Sequence, residues 1–320
     1  MNTEKSTWLS LHVFLSDSAL CVRFINEWLS AETRRLQMQG SLLGWFFIRY
    51  WEGGPHLRLR FKLSDDAVAT KLQADLTQAA QAYINPSPVT REAYYSAHAF
   101  DGEALDPKSL SWYDEGTVAV IDYQQEWVRY GGQAAMTVSE QLFQVSSEIT
   151  LALARHPNRT LEQHLASALG LMVASAQALS SDRQHNEHFF NRYAEFWRSY
   201  NDDAVLAERQ ALAQPLAPVR ARLSAVMQQL QPDVATKSPE RVWWQALQRA
   251  QSQWRSLYEQ GVLISPLSGE VVRDEAAFQV ATQLILSSQI HMMNNRLGII
   301  PAQECYLARL LSGALQGVAA

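Results

Sequence analysis

Cysteine is nearly missing from this chain of 320 residues: Cys21 and Cys305 are the only two, far apart and outside any CxxC pair. That excludes a disulfide framework and a cysteine-built zinc site, and it fits a reducing, cytoplasmic setting. Apolar runs are short, and none approaches the roughly 18 residues that a membrane-spanning helix needs. The opening residues Met1 to Lys5 are polar, with one acid and one base, so the reading is of a soluble, unsecreted protein. A basic surplus is missing too. Against 27 Lys and Arg stand 32 Asp and Glu, a formal net charge of −5, which argues against direct nucleic-acid binding. There is no Walker loop, no GxGxxG, no GxSxG and no HExxH, so the common nucleotide, flavin, hydrolase and zinc-protease sites lose their usual support. His185-Asn-Glu-His188 has no further ligand nearby and reads as a solvated helix start; no metal and no other cofactor is expected.

What is present is apolar. With 47% hydrophobic and 18% charged residues the chain can bury a large core, as one large domain or two smaller ones. Trp8 to Phe14 suits a strand; Ser16 and Asp17 offer caps to a helix carrying Leu20, Phe24, Trp28 and Leu29, which Gly40 closes. Leu42 to Trp51 and His56 to Leu63 read as antiparallel strands joined by a turn at Gly53, Gly54 and Pro55. Ser64 caps a helix with Val68, Leu72 and Leu76, an irregular stretch runs from Asn85 to Gly116, and Thr117 to Tyr123 reads as one more strand. The order βαββαβ predicts a ferredoxin-like sheet. From Ala134 the pattern is helical, with Val138, Leu142, Val145, Ile149 and Leu153 on one face and breaks at Pro157, Ser180 to Asn186, Gln231 to Pro239 and Ser265 to Gly269. The fold class expected is α+β: residues 1–132 form the ferredoxin-like part and residues 133–320 a helical bundle.

Three segments could carry chemistry. In the hairpin, residues two apart face the same way, so His56, Arg58 and Arg60 form a basic row opposite Leu57, Leu59 and Phe61. Guanidinium groups bind carboxylates in a bidentate fork, which makes the row a plausible anion site; a solvated sheet face would show the same alternation. In Glu126-Trp-Val-Arg-Tyr-Gly-Gly132, paired glycines would fix a turn that presents Arg129, although pairing with Glu126 is the simpler account. In Gln289 to Gly298, His291 and Asn295 share a helix face, and a histidine there could move protons near neutral pH. A packed core histidine would look the same.

Together, in this order and at these separations, the segments resemble the C-terminal elimination domain of class I lantibiotic dehydratases, also labelled the thiopeptide-type bacteriocin biosynthesis domain. The stretches that carry the resemblance are Phe46-Phe-Ile-Arg-Tyr50 with Gly54-Pro-His-Leu-Arg-Leu-Arg-Phe61, then Glu126 through Arg129-Tyr-Gly-Gly132, then His291-Met-Met-Asn-Asn-Arg-Leu-Gly-Ile-Ile-Pro301 and the helix with Glu304. It spans Trp8 to Leu315. The large tRNA-dependent glutamylation region of full-length dehydratases does not precede it, which implies a standalone, split version. The resemblance implies removal of glutamate from glutamylated Ser or Thr of a ribosomally made precursor peptide. It implies catalytic roles for Arg58, Arg60, Arg129 and His291, and substrate contacts from Arg49, His56, Tyr130, Asn295 and Arg296. Arg60 and Arg129 would hold the leaving glutamate or the developing oxyanion, and His291 would exchange the proton. Partners implied are the leader-bearing precursor peptide and a glutamylation protein that uses glutamyl-tRNA; a homodimer is compatible. A pyridine synthase on the same scaffold, joining two dehydroalanines and expelling the leader, and a non-catalytic peptide-binding subunit are the alternatives.

Overall fold

The structure, a computed structural model, describes residues 8–96, 106–156, 159–199 and 202–316. The chain divides into two compact units: Met1–Gln124 with Thr150–Pro157, and Gln125–Ile149 with Asn158–Ala320.

The first unit is an α+β layer. Strands β1 (Trp8–Phe14), β2 (Leu42–Tyr50), β3 (His56–Leu63) and β4 (Val118–Val120) form one antiparallel sheet in the order β2-β3-β1-β4. Between β1 and β2 runs a helix, α1 (Ser18–Phe24), that passes through a π turn at Ile25–Leu29 into α2 (Ser30–Met38). Asp17 caps it by accepting the Leu20 N–H at 2.8 Å. Between β3 and β4 come α3 (Asp66–Ala80) and α4 (Arg91–Ser96). The cap of α3 is Asp65, which accepts the Val68 N–H, and not Ser64, whose hydroxyl donates to Asp65. The expected strand at Thr117 to Tyr123 shrinks to three residues, Val118 to Val120, which lie in register with Val13 to Leu11; single backbone bonds flank them at Phe14 N to the Thr117 carbonyl and Ile121 N to the Ser10 carbonyl. The expected irregular stretch holds α4 and one short 3₁₀ turn at Pro107–Ser109; the rest of its middle lies outside the described residues.

Alternation sorts the sheet into two faces. Leu11, Val13, Trp45, Phe47, Leu57, Leu59 and Phe61 point to one side, where Phe24, Leu29, Leu36, Leu72 and Leu76 close a dry core. Each such side chain contributes roughly 1.5–3 kcal/mol by leaving water. Leu151 joins this core, which is why the end of the next helix groups with the first unit.

The second unit is helical: α5 (Gln133–Ala154, its last turn belonging to the first unit), α6 (Leu161–Leu179), α7 (Arg183–Arg198), α8 (Asp202–Leu212), α9 (Ala217–Gln229), α10 (Pro239–Glu259), α11 (Glu275–Leu297) and α12 (Pro301–Leu315). α12 packs on α7 and α8, and α6 on α10. On α7 the residues Phe189, Tyr193 and Trp197 recur every fourth position, one apolar stripe of an amphipathic helix. α6 is buried almost all round from Ala168 to Ala176, which small residues permit; Gly170 lies against the Arg222–Glu240 ion pair. The break between α8 and α9 around Pro215 is one that the apolar pattern alone does not mark. Among the described residues no helix is long and apolar enough to cross a membrane.

Candidate functional site

On the sheet face opposite the first unit's core, β3 presents His56, Arg58 and Arg60, and the register sets Phe14, His12 and Ser10 of β1 and Tyr50, Ile48 and Phe46 of β2 beside them. The face is a basic row in an aromatic frame. The rings of Trp8, Phe46 and Tyr123 meet one another at 5.2–6.0 Å, and the Arg60 guanidinium lies 5.2 Å from the Tyr123 centroid. Arg58 stacks on Tyr50 at 3.3 Å and has the Glu52 carboxylate at 3.9 Å. Arg60 differs. It is only 4% exposed, it donates to the Leu59 carbonyl and to His12 Nε2, its Nε is buried without an acceptor, and it has no carboxylate partner among the described residues. Burial, with Arg58 adding to it, presses the guanidinium down to about 10, so it stays charged at neutral pH.

Two imidazoles complete the row. His12 and His56 stack at 4.9 Å, both nearly buried. His56 Nδ1 donates to the Gly54 carbonyl at 2.8 Å, leaving Nε2 to accept from Arg58 Nε at 3.3 Å. Burial first, then the charges of Arg60, His56 and Arg58, push His12 down to about 2; burial and the two arginines, opposed by the Gly54 carbonyl, take His56 to about 4. Both rings are neutral in the native state at pH 7, whereas unfolded histidines protonate near their ordinary value of 6.5. Between 6.5 and those lowered values the unfolded chain binds more protons, so stability is full above 6.5 and is lost as pH falls. From pH 7 to pH 5 the two rings together should remove about 2–4 kcal/mol of unfolding free energy. Urea melts at both pH values check this, and His12→Gln should flatten about half of the difference; equal slopes in both proteins would contradict it.

The second unit carries the other segments. Residues 127–132 form successive turns that lead into α5, pinned where Gly132 N donates to the Trp127 carbonyl at 2.7 Å and Ile264 N to the Gly131 carbonyl at 2.8 Å. Gly131 and Gly132 have φ of 93° and 100°, and a Cβ on Gly132 would stand 2.6 Å from Ile264 Cγ1. Gly132→Ala should therefore cost about 2–3 kcal/mol, read from the urea midpoint by tryptophan fluorescence. The turn places Arg129 with Nε donating to Ser288 Oγ and Nη1 to Glu126, both at 3.1 Å. Ser288 is one turn before His291 on α11.

His291 Nδ1 meets Glu304 Oε1 at 2.8 Å, and Glu304, on α12, is fully buried. The other Glu304 oxygen accepts from the Tyr193 hydroxyl and, at 3.1 Å, from Asn294 Nδ2. Burial, and then the Glu304 charge and hydrogen bond, hold Tyr193 well above its ordinary value, so it remains a donor. The Trp197 ring packs 4.7 Å from the imidazole. A carboxylate that fixes Nδ1 and leaves Nε2 to act is the arrangement of a proton-transfer histidine.

The predicted residues fall in both units. His56, Arg58 and Arg60 share one face; Arg129 and His291 lie within a helical turn of each other. Arg49 stands in register with Leu57 and therefore points to the opposite side of the sheet, where burial lowers its pKa and the nearby Cys21 opposes the shift. Tyr130 and the fully buried Arg296 meet at Phe143: Tyr130 packs edge-on at 5.1 Å, and Arg296 covers the ring while bonding Ser147 and the Met292 carbonyl. Both side chains are buried, and burial pushes the Tyr130 hydroxyl up to about 12. Asn294 joins the His291 cluster through its bond to Glu304. Neither His12 nor Tyr193 stands out in the sequence: His12 follows Ser10 in the ordinary alternation of a strand, and Tyr193 sits on the aromatic stripe of its helix. Among the described residues no three His, Cys, Asp or Glu side chains are placed to hold a metal.

The chemistry-bearing features of this α+β chain are a basic sheet face in the first unit and a carboxylate-fixed histidine in the second. The profile of the family described as "Lantibiotic biosynthesis dehydratase C-term" matches residues 8–315, and the chain belongs to that family. Its setting is the biosynthesis of ribosomally made, post-translationally modified peptides. Three solved structures share the fold. "Pyridine synthase, TbtD, from thiomuracin biosynthesis" is 17% identical, with 97% of each chain covered and a TM-score of 0.72. TsrL is 16% identical, covering 96% of this chain and 93% of its own, with a TM-score of 0.64. The tRNA-dependent lantibiotic dehydratase MibB from Microbispora sp. 107891 is 19% identical, covers 99% of this chain with 28% of its own length, and has a TM-score of 0.54. No curated protein sequence matches the chain significantly.

Proposed function

We propose that this chain releases glutamate from glutamylated Ser or Thr of a precursor peptide, leaving dehydroalanine or dehydrobutyrine. The observation that carries the reading is His291, its Nδ1 held by the buried Glu304, one turn from the fixed guanidinium of Arg129. In the step, a base takes the Cα proton, Cα=Cβ forms, the Cβ–O bond breaks and glutamate leaves as a carboxylate. The Cα proton is a poor acid, so the negative charge that develops needs a fixed cation as well as a base. In this reading His291 exchanges the proton, Arg129 stabilises the developing charge, and Arg60, with Arg58 beside it, recognises a carboxylate of the departing glutamate. The strand order supports a ferredoxin-like description of the sheet, and the packing of α6 to α12 supports a helical bundle. The substrate comes from a partner that glutamylates the leader-bearing peptide with glutamyl-tRNA.

Pyridine formation is the rival, since TbtD has the same fold over nearly its whole length. Cycloaddition, however, offers no glutamate carboxylate for an uncompensated Arg60. The deciding experiment incubates the purified chain with a synthetic precursor peptide carrying glutamyl-Ser, without tRNA or ATP, and follows mass. Loss of glutamic acid is expected. An unchanged peptide would overturn elimination, and leader release from a doubly dehydrated peptide would assign cycloaddition instead.

A further inference from the structure

Arg60 raises a physical problem that points to a residue outside the motifs. A guanidinium this deeply buried is normally held by a carboxylate, because a buried charge without a counter-charge is costly. Here the group that orients it is an imidazole: Arg60 Nη2 lies 3.2 Å from His12 Nε2. An arginine N–H can only donate, so His12 Nε2 is the acceptor and the ring carries its proton on Nδ1. His12 is 3% exposed, stands across the strands from Arg58, and is clamped by stacking on His56, whose own Nε2 accepts from Arg58. Each arginine of the row is therefore aimed by a neutral ring. A carboxylate in the place of His12 would orient Arg60 equally well but would cancel its charge and compete with any incoming anion.

We propose that His12 is the positioning residue of a carboxylate-binding subsite: its imidazole holds Arg60 in place without neutralising it, so that the substrate's carboxylate becomes the guanidinium's counter-ion. This deepens the elimination reading and rests on it for the identity of the anion, glutamate. The subsite itself follows from the packing of β1 against β3.

The test compares wild type, His12→Ala and His12→Gln. The Gln side chain can place an acceptor oxygen near the position of Nε2, whereas Ala leaves Nη2 without a partner. L-glutamate, with L-glutamine as control, is titrated calorimetrically into each purified chain, and glutamate release from the glutamylated peptide is measured in parallel, with folding checked by circular dichroism and urea melts. His12→Ala should weaken glutamate binding and raise KM by about 10–100-fold, with a smaller change in kcat, and His12→Gln should recover most of the loss. A purely packing role would lower the urea midpoint of both variants and leave the affinity of the folded protein unchanged, which would overturn the proposal. So would a wild type that does not distinguish glutamate from glutamine, or a His12→Gln variant that folds but binds no better than His12→Ala. If the wild type binds glutamate in a His12-dependent way yet releases none from the peptide, the subsite stands and the elimination reading fails. If release proceeds equally in all three chains, the elimination reading stands and the role of His12 falls.

Discussion

Arg60→Met should abolish most glutamate release, by about 10²–10³-fold in kcat/KM, while leaving the fold as stable as before or more so. The two effects separate because of what surrounds the side chain. Arg60 is 4% exposed, has a buried Nε without an acceptor, and is held by a neutral ring and a backbone carbonyl. None of these, nor the Tyr123 ring 5.2 Å away, is a counter-charge, so an apolar side chain of similar length relieves the sheet. Residues kept for activity against the interest of stability behave in this way. Urea melts and steady-state kinetics on the same preparation decide it: an unfolding free energy that falls by several kcal/mol would mean that the charge is compensated after all. Arg58, stacked on Tyr50 and near Glu52, should show a smaller loss of activity on the same substitution.

His291→Ala should lower glutamate release by about 10²–10⁴-fold, the usual worth of a positioned proton-transfer group. The protein should remain folded, because the imidazole is partly exposed and its loss still leaves Glu304 bonded to Tyr193 and Asn294. Glu304→Gln should cost about 10–100-fold, through a ring that is no longer held in one tautomer. Glu304→Ala is the wrong variant for this question. It would strand two buried donors on α7 and α11 and damage folding along with activity. Glutamylated peptide should accumulate with His291→Ala; undiminished dehydration would remove His291 from the mechanism.

How far the residues announce this arrangement depends on how local the cause is. β1, β2 and β3 are legible because period-2 alternation is a property of a single strand, and the basic row follows from the same parity. The end of β4 is not legible, since Val118 to Tyr123 is strand-like throughout while pairing stops where β1 turns its attention to β3 alone. Arg49 could have been excluded from the row by register: Arg58 pairs with Ile48, so Arg49 must face the other way. His12 is not legible because polar residues alternating with leucine in a strand, as Ser10 and His12 do, say nothing of a role until their cross-strand neighbours are known. On α11, spacing puts Asn295 on the face of His291; that Asn294 reaches Glu304 follows from the packing of α11 against α12, which spacing does not reveal. Tyr193 lies 111 residues before Glu304, a separation that no reading of local pattern can bridge.

The alternation in β1 and β3 has an evolutionary consequence. Odd positions of these strands build the dry core and even positions the basic face, so a single backbone register serves both. Insertion or deletion of one residue within either strand would turn leucines toward the row and arginines toward the core at once. Such changes cannot drift neutrally here, whereas substitutions on one face leave the other untouched. Lineages can therefore change the chemistry of the even positions while the odd positions keep the same framework, and loss of activity need not begin with loss of the fold.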